Sequence, residues 1–369
     1  MTTWVSGTRP TAPRAAGAPR RGLVLGGGGM LGAAWTVGAL CAVEGATGHR
    51  AGDAEVVLGT SAGAILGALL AAGVGADQLR DHQRGLPITS GPLAGVDFDY
   101  DTAVGGALPP RPRAGIGSPR LLRDAVRHPR EYPLLTLVSA MAPHGRGSLE
   151  PVGALVGGLF GGSGGTEAIG PAPLGVAGRA SALRVVAVDY RSGHRVVFGD
   201  PDAPPAGVGE AVMASCAIPG WFAPVRVGGA DYVDGGCWSA TNADLLLDRG
   251  LDEVYVLAPM ALWSDPPGRP QPGHSESVQG VSGLARARRG RDLPRGVLAQ
   301  VVGRYRRAVT RQLLREAGLL RAGGVRVHLL APTPADLAVM GPNMMDPSRR
   351  GPVLESALDT CRRVLEATR

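Results

Sequence analysis

Apolar residues along the chain fall into short strand-like runs followed by longer stretches at helical spacing. "GLVLGGGG", from Gly22, predicts a buried strand closed by a glycine turn, and "MLGAAWTVGALCAVEGA" predicts the helix after it. "AEVVLGTS" and "AGAILGALLAAG" repeat the unit, with Gly73 ending the second helix. Two strand–helix units in succession predict an α/β fold, its mainly parallel sheet covered on both faces by the crossover helices.

Further along, "LRVVAVDYRSGHRVVFGD" predicts two strands around a Ser192-Gly193 turn. "GEAVMASCAIPGWFAPVRVGGADYVDGG" predicts a short helix, a proline-rich corner and a strand that delivers Asp234 to a glycine turn. "DEVYVLAP" and "VRVHLLAP" are two more strands.

Between about 85 and 178 the pattern loosens into Gly- and Pro-rich text around short helical pieces, which predicts a lid-like insertion over the sheet. "PLLTLVSAM" and "VGALVGGLF" within it are apolar enough to line a pocket, or simply to cover the sheet. "PPGRPQPGHSESVQG" reads as an exposed loop. A helical C-terminal part from about 290 to 369 opens with Leu298, Val301, Val302, Tyr305, Val309 and Leu313 at helical spacing, arginines between them. Such a helix either rests on a lipid surface or covers the core with its arginines in water, and the second reading is preferred.

The 369 residues, 44% hydrophobic, suffice for one large core, and a single domain over 21–369 is expected. Residues 1–20 mix Pro, Arg, Thr and Ala without periodicity and predict a disordered basic tail. The uncharged run behind them approaches bilayer-spanning length. Its four consecutive glycines and its division into strand, turn and helix argue against a targeting segment.

The formal charge is +7, and with no lysine in the chain every basic side chain outside histidine is arginine. That balance favours anionic surfaces without choosing between lipid head groups and nucleic acid. Nucleic acid ranks last, because no aromatic platform is interleaved with the arginines. Cys41, Cys216, Cys237 and Cys361 form no C-x-x-C pair, so neither a disulfide framework nor a structural metal site is expected, and a reducing, cytoplasmic setting fits.

Candidate chemistry centres on Gly59-Thr60-Ser61-Ala62-Gly63, a G-x-S-x-G between a predicted strand and a predicted helix. The two glycines relieve crowding at a strained elbow, which lets the Ser61 hydroxyl protrude. The competing role for Ser61 is an ordinary helix cap.

Gly27-x-Gly29-x-x-Gly32, at the first strand end, can offer backbone amides to an oxyanion. The same spacing is a dinucleotide fingerprint, but the acidic residue that holds a ribose is missing from the end of the second strand. For the base, Asp234-Gly235-Gly236 closes a strand as a catalytic loop would, although Asp-Gly turns are common. His328 would complete a Ser–Asp–His order, yet it lies within a strand pattern, which leaves a Ser–Asp dyad as the economical arrangement.

"LVLGGGGMLGAAWTVGAL", "GTSAG", "SCAIPGWFAPVRVGGADYVDGG" and "SATNADLLL", in this order, resemble a bacterial patatin-like phospholipase. The resemblance implies a three-layer α/β/α sandwich that hydrolyses lipid acyl esters with a Ser–Asp dyad and no metal or cofactor. By motif, Ser61 matches the nucleophile and Asp234 the base. Gly27, Gly28, Gly29 and Gly32 match the oxyanion loop, with the amides around Gly28 and Gly29 as the oxyanion hole, while Gly59, Gly63, Gly235 and Gly236 support the turns.

The implied partner is a lipid or phospholipid ester, with peripheral contact at a membrane surface. Met30 and Leu31 stand where many members carry a basic residue, and Trp35 stands where a later histidine is usual. These departures keep open a catalytically idle, lipid-binding version of the fold.

Overall fold

The structure is a computed structural model that describes residues 19–96, 111–160, 182–262 and 297–367. Most of the expected tail, two stretches of the expected insertion and the loop "PPGRPQPGHSESVQG" lie outside the described residues.

Eight strands form one sheet: β1 (Arg21–Leu25), β2 (Val56–Thr60), β3 (Leu183–Asp189), β4 (Arg195–Phe198), β5 (Val225–Val227), β6 (Ala230–Asp234), β7 (Glu253–Leu257) and β8 (Arg326–Leu330). The hydrogen-bonded order is β5-β6-β3-β2-β1-β7-β8, with β4 also on β3. β1, β2, β3, β7 and β8 run parallel, whereas β4 and β6 are antiparallel to β3 and β5 is antiparallel to β6.

Side-chain alternation sorts the parallel strands between two layers. Leu23 and Leu25 of β1, Val57 of β2, Val185 and Ala187 of β3 and Leu257 of β7 pack into one core. That layer holds α1 (Gly29–Thr47), α2 (Ala62–Ala71), α3 (Ala76–Gln83), α6 (Glu150–Phe160), α7 (Val208–Cys216) and α10 (Arg350–Ala367). The residues between them, Val24, Val56, Leu58, Val186, Val254 and Val256, pack into a second core under α8 (Val297–Ala322). α4 (Pro119–Arg127) and α5 (Leu134–Met141) cover Val188 and Val233 at the antiparallel end, and α9 (Pro334–Met340) precedes α10. Each fully buried Leu or Val contributes about 1.5–3 kcal/mol, so these two faces hold the sheet together.

Two helices settle readings that the sequence left open. α8 buries Val309, Leu313, Ala317 and Leu320 while Arg307, Arg311 and Arg315 stay exposed, as a covering helix with a solvated face does. α6 buries Val152 and Val156 completely, so this part of the insertion belongs to the main core. Helix α1 is long and apolar enough to cross a membrane by length and composition, yet most of its apolar window is buried within the fold.

The register around β3 positions the functional residues. β4 pairs with Val185–Val188, overlapping the partners of both β2 and β6, so it must occupy the opposite edge of β3. β2 and β6 therefore share one edge and approach each other from opposite directions. β2 ends with Thr60 opposite Val186, and β6 ends with Asp234 opposite Ala187. The two carboxyl ends meet, and the chain must leave the sheet at both.

That exit is crowded. A Cβ on Gly63 would lie 2.0 Å from the Leu25 carbonyl oxygen, and one on Gly59 would lie 2.6 Å from Ala64 Cα. Gly63→Ala is therefore expected to lower stability by about 3 kcal/mol or more, read from the denaturant midpoint. Gly45→Ala, on an open face of α1, is expected to raise it by about 0.5–1 kcal/mol. A Gly63→Ala protein as stable as the parent would contradict this packing.

Candidate active site

Ser61 sits between β2 and α2 with φ 54° and ψ −125°, a conformation that side-chain-bearing residues rarely adopt. Its amide donates to Ser215 Oγ at 2.9 Å, and Ser215 Oγ donates to the Val186 carbonyl at 2.6 Å, which ties the elbow to β3. The Ser61 side chain makes no cap to α2. Its hydroxyl lies close enough to the Asp234 carboxyl and to the Cys216 thiol to favour the charged form of each. Ser61 therefore does not act as the helix cap, and it shares the wall of one cavity with Asp234.

Asp234 is buried at 5% exposure. Burial pushes its carboxyl up from 3.8 to about 6, although the Ser61 hydroxyl and the Gly236 amide, 2.7 Å from Oδ1, both favour the charged form. A carboxylate so placed is a stronger base than an exposed one. Only its charged form accepts a proton, so activity is expected to rise with pH through about 6 and to be lost below it. A pH–rate profile on a soluble ester checks this, and an inflection at the ordinary carboxylate value would contradict it.

Asn242, in the left-handed region at φ 53° and fully buried, braces the loop behind Asp234. Its Nδ2 donates to the Ser239 carbonyl at 2.6 Å, to Thr60 Oγ1 at 3.2 Å and to the Gly235 carbonyl at 3.4 Å. Glu316 of α8 fixes the same loop, accepting from Thr241 Oγ1 at 2.6 Å and from the Ala243 amide at 2.9 Å. Neither residue stands out in the sequence as chemistry, though Glu316 lies among the buried positions of its helix.

The glycine loop lies directly beside Ser61, since a Cβ on Gly27 would be 3.1 Å from Ser61 Cβ. Its amides are not equivalent. The Gly27 amide donates to the Ala240 carbonyl at 2.8 Å, and the Gly32 amide donates to the Gly28 carbonyl at 3.0 Å. Both of these donors are already engaged, one by the loop after β6 and one by the first turn of α1. The amides of Gly28 and Gly29, at the positive end of α1, donate to no acceptor among the described residues. Added side chains would fill this cradle, since a Cβ on Gly28 would lie 2.9 Å from Pro259 Cγ and one on Gly29 2.8 Å from Met345 Sδ.

Arg306 ties Pro259 to Met344, the residue before Met345. It is 4% exposed, and its guanidinium donates to the Pro259 carbonyl at 2.9 Å and contacts Met344 Sδ at 3.2 Å. Burial lowers its pKa to about 10, so it stays charged at neutral pH. The available signal is its phase, three residues before Val309 and seven before Leu313, which puts it on the apolar stripe of α8.

His328 is elsewhere. It lies on β8, separated from β2 by β7 and β1, and it stacks on Tyr255 at 4.4 Å between ring centroids. Its Nε2 is 3.7 Å from Glu253, the first residue of β7. His328 therefore forms no Ser–Asp–His arrangement with Ser61.

Two cavities meet at Ser61 and Gly29. One, about 950 Å³ including its mouth, runs beside α2 past Ile65, Leu66 and Leu69 and is closed by Leu79, Leu149 and Val152. The other, about 1190 Å³ including its mouth, opens past Asp234, Trp221, Tyr305 and Val138. Asp234 lines only the second.

Residues 23–247 match the family model for patatin-like phospholipase, more than half of the chain. The chain belongs to the patatin-like phospholipase family. A search of curated proteins gave no match. Among solved structures, the crystal structure of VipD from Legionella pneumophila is similar at 17% identity and a TM-score of 0.43, covering 95% of this chain and 67% of that one.

Within this patatin-like fold the departures have plain structural settings. Met30 is buried in the wall of the first cavity beside Gly29, where a charged side chain would have to be desolvated. Leu31 and Trp35 are fully buried in the α1 core. The four cysteines are free thiols. Among the described residues, no group of three or more His, Cys, Asp or Glu side chains is placed to hold a metal ion.

Proposed function

We propose that this patatin-like phospholipase family member hydrolyses carboxylic esters of lipids, with Ser61 as nucleophile and Asp234 as general base. The observation that carries the reading is Ser61 on a strained elbow, its hydroxyl beside the buried Asp234 carboxylate, where two cavities meet.

Asp234 takes the Ser61 proton as Oγ attacks the ester carbonyl, and the amides of Gly28 and Gly29 hold the oxyanion. When the tetrahedral intermediate collapses, Asp234 returns the proton to the leaving alkoxide. It then removes a proton from the water that attacks the acyl-enzyme and returns that proton to Ser61 Oγ as the acid leaves. Because Asp234 must reach the leaving oxygen, its place in the open cleft supports that cleft as the site of the alcohol half of the substrate. The apolar cavity is left for the acyl chain.

A defined diacyl phospholipid incubated with purified protein is expected to release free fatty acid, read by mass spectrometry, and Ser61→Ala protein to release none. Folded protein that takes up the lipid without releasing product would instead support the idle, lipid-binding version of the fold.

Chain length gives a second check. Leu69 lies eight residues beyond Ser61 along α2, a distance of about 12 Å at 1.5 Å per residue. Leu69→Trp is expected to reduce kcat/KM on p-nitrophenyl palmitate by about tenfold or more while leaving the butyrate ester unaffected. Equal losses on both esters would place the acyl chain elsewhere.

A further inference from the structure

Helices α4 and α5 pack inward through Leu121 and Ala140 onto Val188 and Val233, and they turn their other faces to water. On α5, Leu134, Val138 and Met141 are exposed at 73%, 49% and 48%, spaced four and three residues apart on one side. A polar outer face would be expected of a helix that only covers the sheet. On α4 the outer face carries Arg120, Arg123 and Arg127, with Val126 exposed among them at 64% and Arg130 just beyond. None of these four arginines pairs with a carboxylate among the described residues.

Residues 111–146 contain seven arginines and two carboxylates. This density of cations beside exposed aliphatic side chains differs from the outer face of α10, where Arg362 and Arg363 both pair with Asp359. The apolar stripe is also continuous with the cleft, since Leu135, Val138 and Ser139 of α5 form its wall.

We infer that the outer face of α4 and α5 is a docking surface for an anionic phospholipid bilayer. The arginines meet the phosphates, and the stripe of Leu134, Val138 and Met141 enters the head-group boundary. The inference rests on the proposed lipid ester hydrolysis, because it sets the mouth of the Ser61 cleft against the layer that holds the substrate. The alcohol half then stays near the surface while the acyl chain crosses Ser61 into the apolar cavity.

The test is co-sedimentation of the full chain with vesicles of phosphatidylglycerol in phosphatidylcholine, and with phosphatidylcholine alone. The parent and Ser61→Ala proteins are expected to bind the anionic vesicles alike and the neutral ones at least tenfold more weakly, with binding reduced by added salt. Arg120→Glu/Arg123→Glu/Arg127→Glu and, separately, Leu134→Ser/Met141→Ser are expected to lose at least tenfold in vesicle binding. Both should hydrolyse p-nitrophenyl butyrate as the parent does. Arg311→Glu/Arg315→Glu, charge reversal on the outer face of α8, is the control and is expected to keep binding.

Equal binding to both kinds of vesicle overturns the inference, as do patch variants that bind like the parent or a control that loses as much. Light scattering without vesicles identifies the remaining occupant, a second copy of the chain: a dimer broken by the patch variants also overturns it. Because Ser61→Ala protein reports binding without turnover, failure of the hydrolase reading and failure of the docking surface give different results.

Discussion

Ser61→Ala is expected to lower kcat on a lipid ester by about 10⁴-fold or more while leaving the fold intact. The loss follows from removing the atom that forms the acyl-enzyme. Stability is spared because the hydroxyl does not cap α2, and the elbow is held by backbone groups, the Ser61 amide to Ser215 Oγ and the Ala64 amide to the Ser61 carbonyl at 2.7 Å. Alanine keeps both. Circular dichroism and the melting temperature separate this outcome from unfolding, and a Ser61→Ala protein that retains a tenth of the parent kcat would remove Ser61 from the chemistry.

Asp234→Asn is expected to lower kcat by about 10²–10⁴-fold and, at neutral pH, to raise stability. Asp234 titrates at about 6 in the fold against 3.8 for the unconstrained group, so the folded chain binds its proton more tightly than the unfolded one. That contribution is fully present below about 3.8 and is lost as pH rises through about 6. Above that point the buried charge costs up to about 3 kcal/mol, which a neutral asparagine avoids while its Oδ1 still accepts from Gly236. The melting temperature of the variant should exceed that of the parent at neutral pH and converge on it in acid. A variant less stable at neutral pH, or one with unchanged kcat, would contradict the assignment of a buried base.

Much of this was legible in the sequence because the chemistry lies in short contiguous motifs. Gly59 and Gly63 flank Ser61 for a reason visible in one dimension, since a strand must turn into a helix with backbone almost touching backbone. The Asp234-Gly235-Gly236 turn has the same local logic. The meeting of the two motifs was not legible, because it depends on β2 and β6 sharing one edge of β3, a matter of register between segments far apart in the chain.

Residues that act through others were also hidden. Ser215 looks like one small residue in a short helix, and Asn242 like a turn. Arg306 resembles the arginines around it until the phase of α8 places it inside. The glycine loop shows the limit most clearly. Spacing alone treats Gly27, Gly28, Gly29 and Gly32 alike, while the carbonyls of Ala240 and Gly28 engage two of them and leave the amides of Gly28 and Gly29.

The most direct measurement is covalent labelling of the folded protein with a serine-directed fluorophosphonate, followed by mass mapping of the modified peptide. The expected result is a single label on Ser61, absent from Ser61→Ala and much slower to form in Asp234→Asn. No label on folded parent protein, or a label on another residue, would contradict the account.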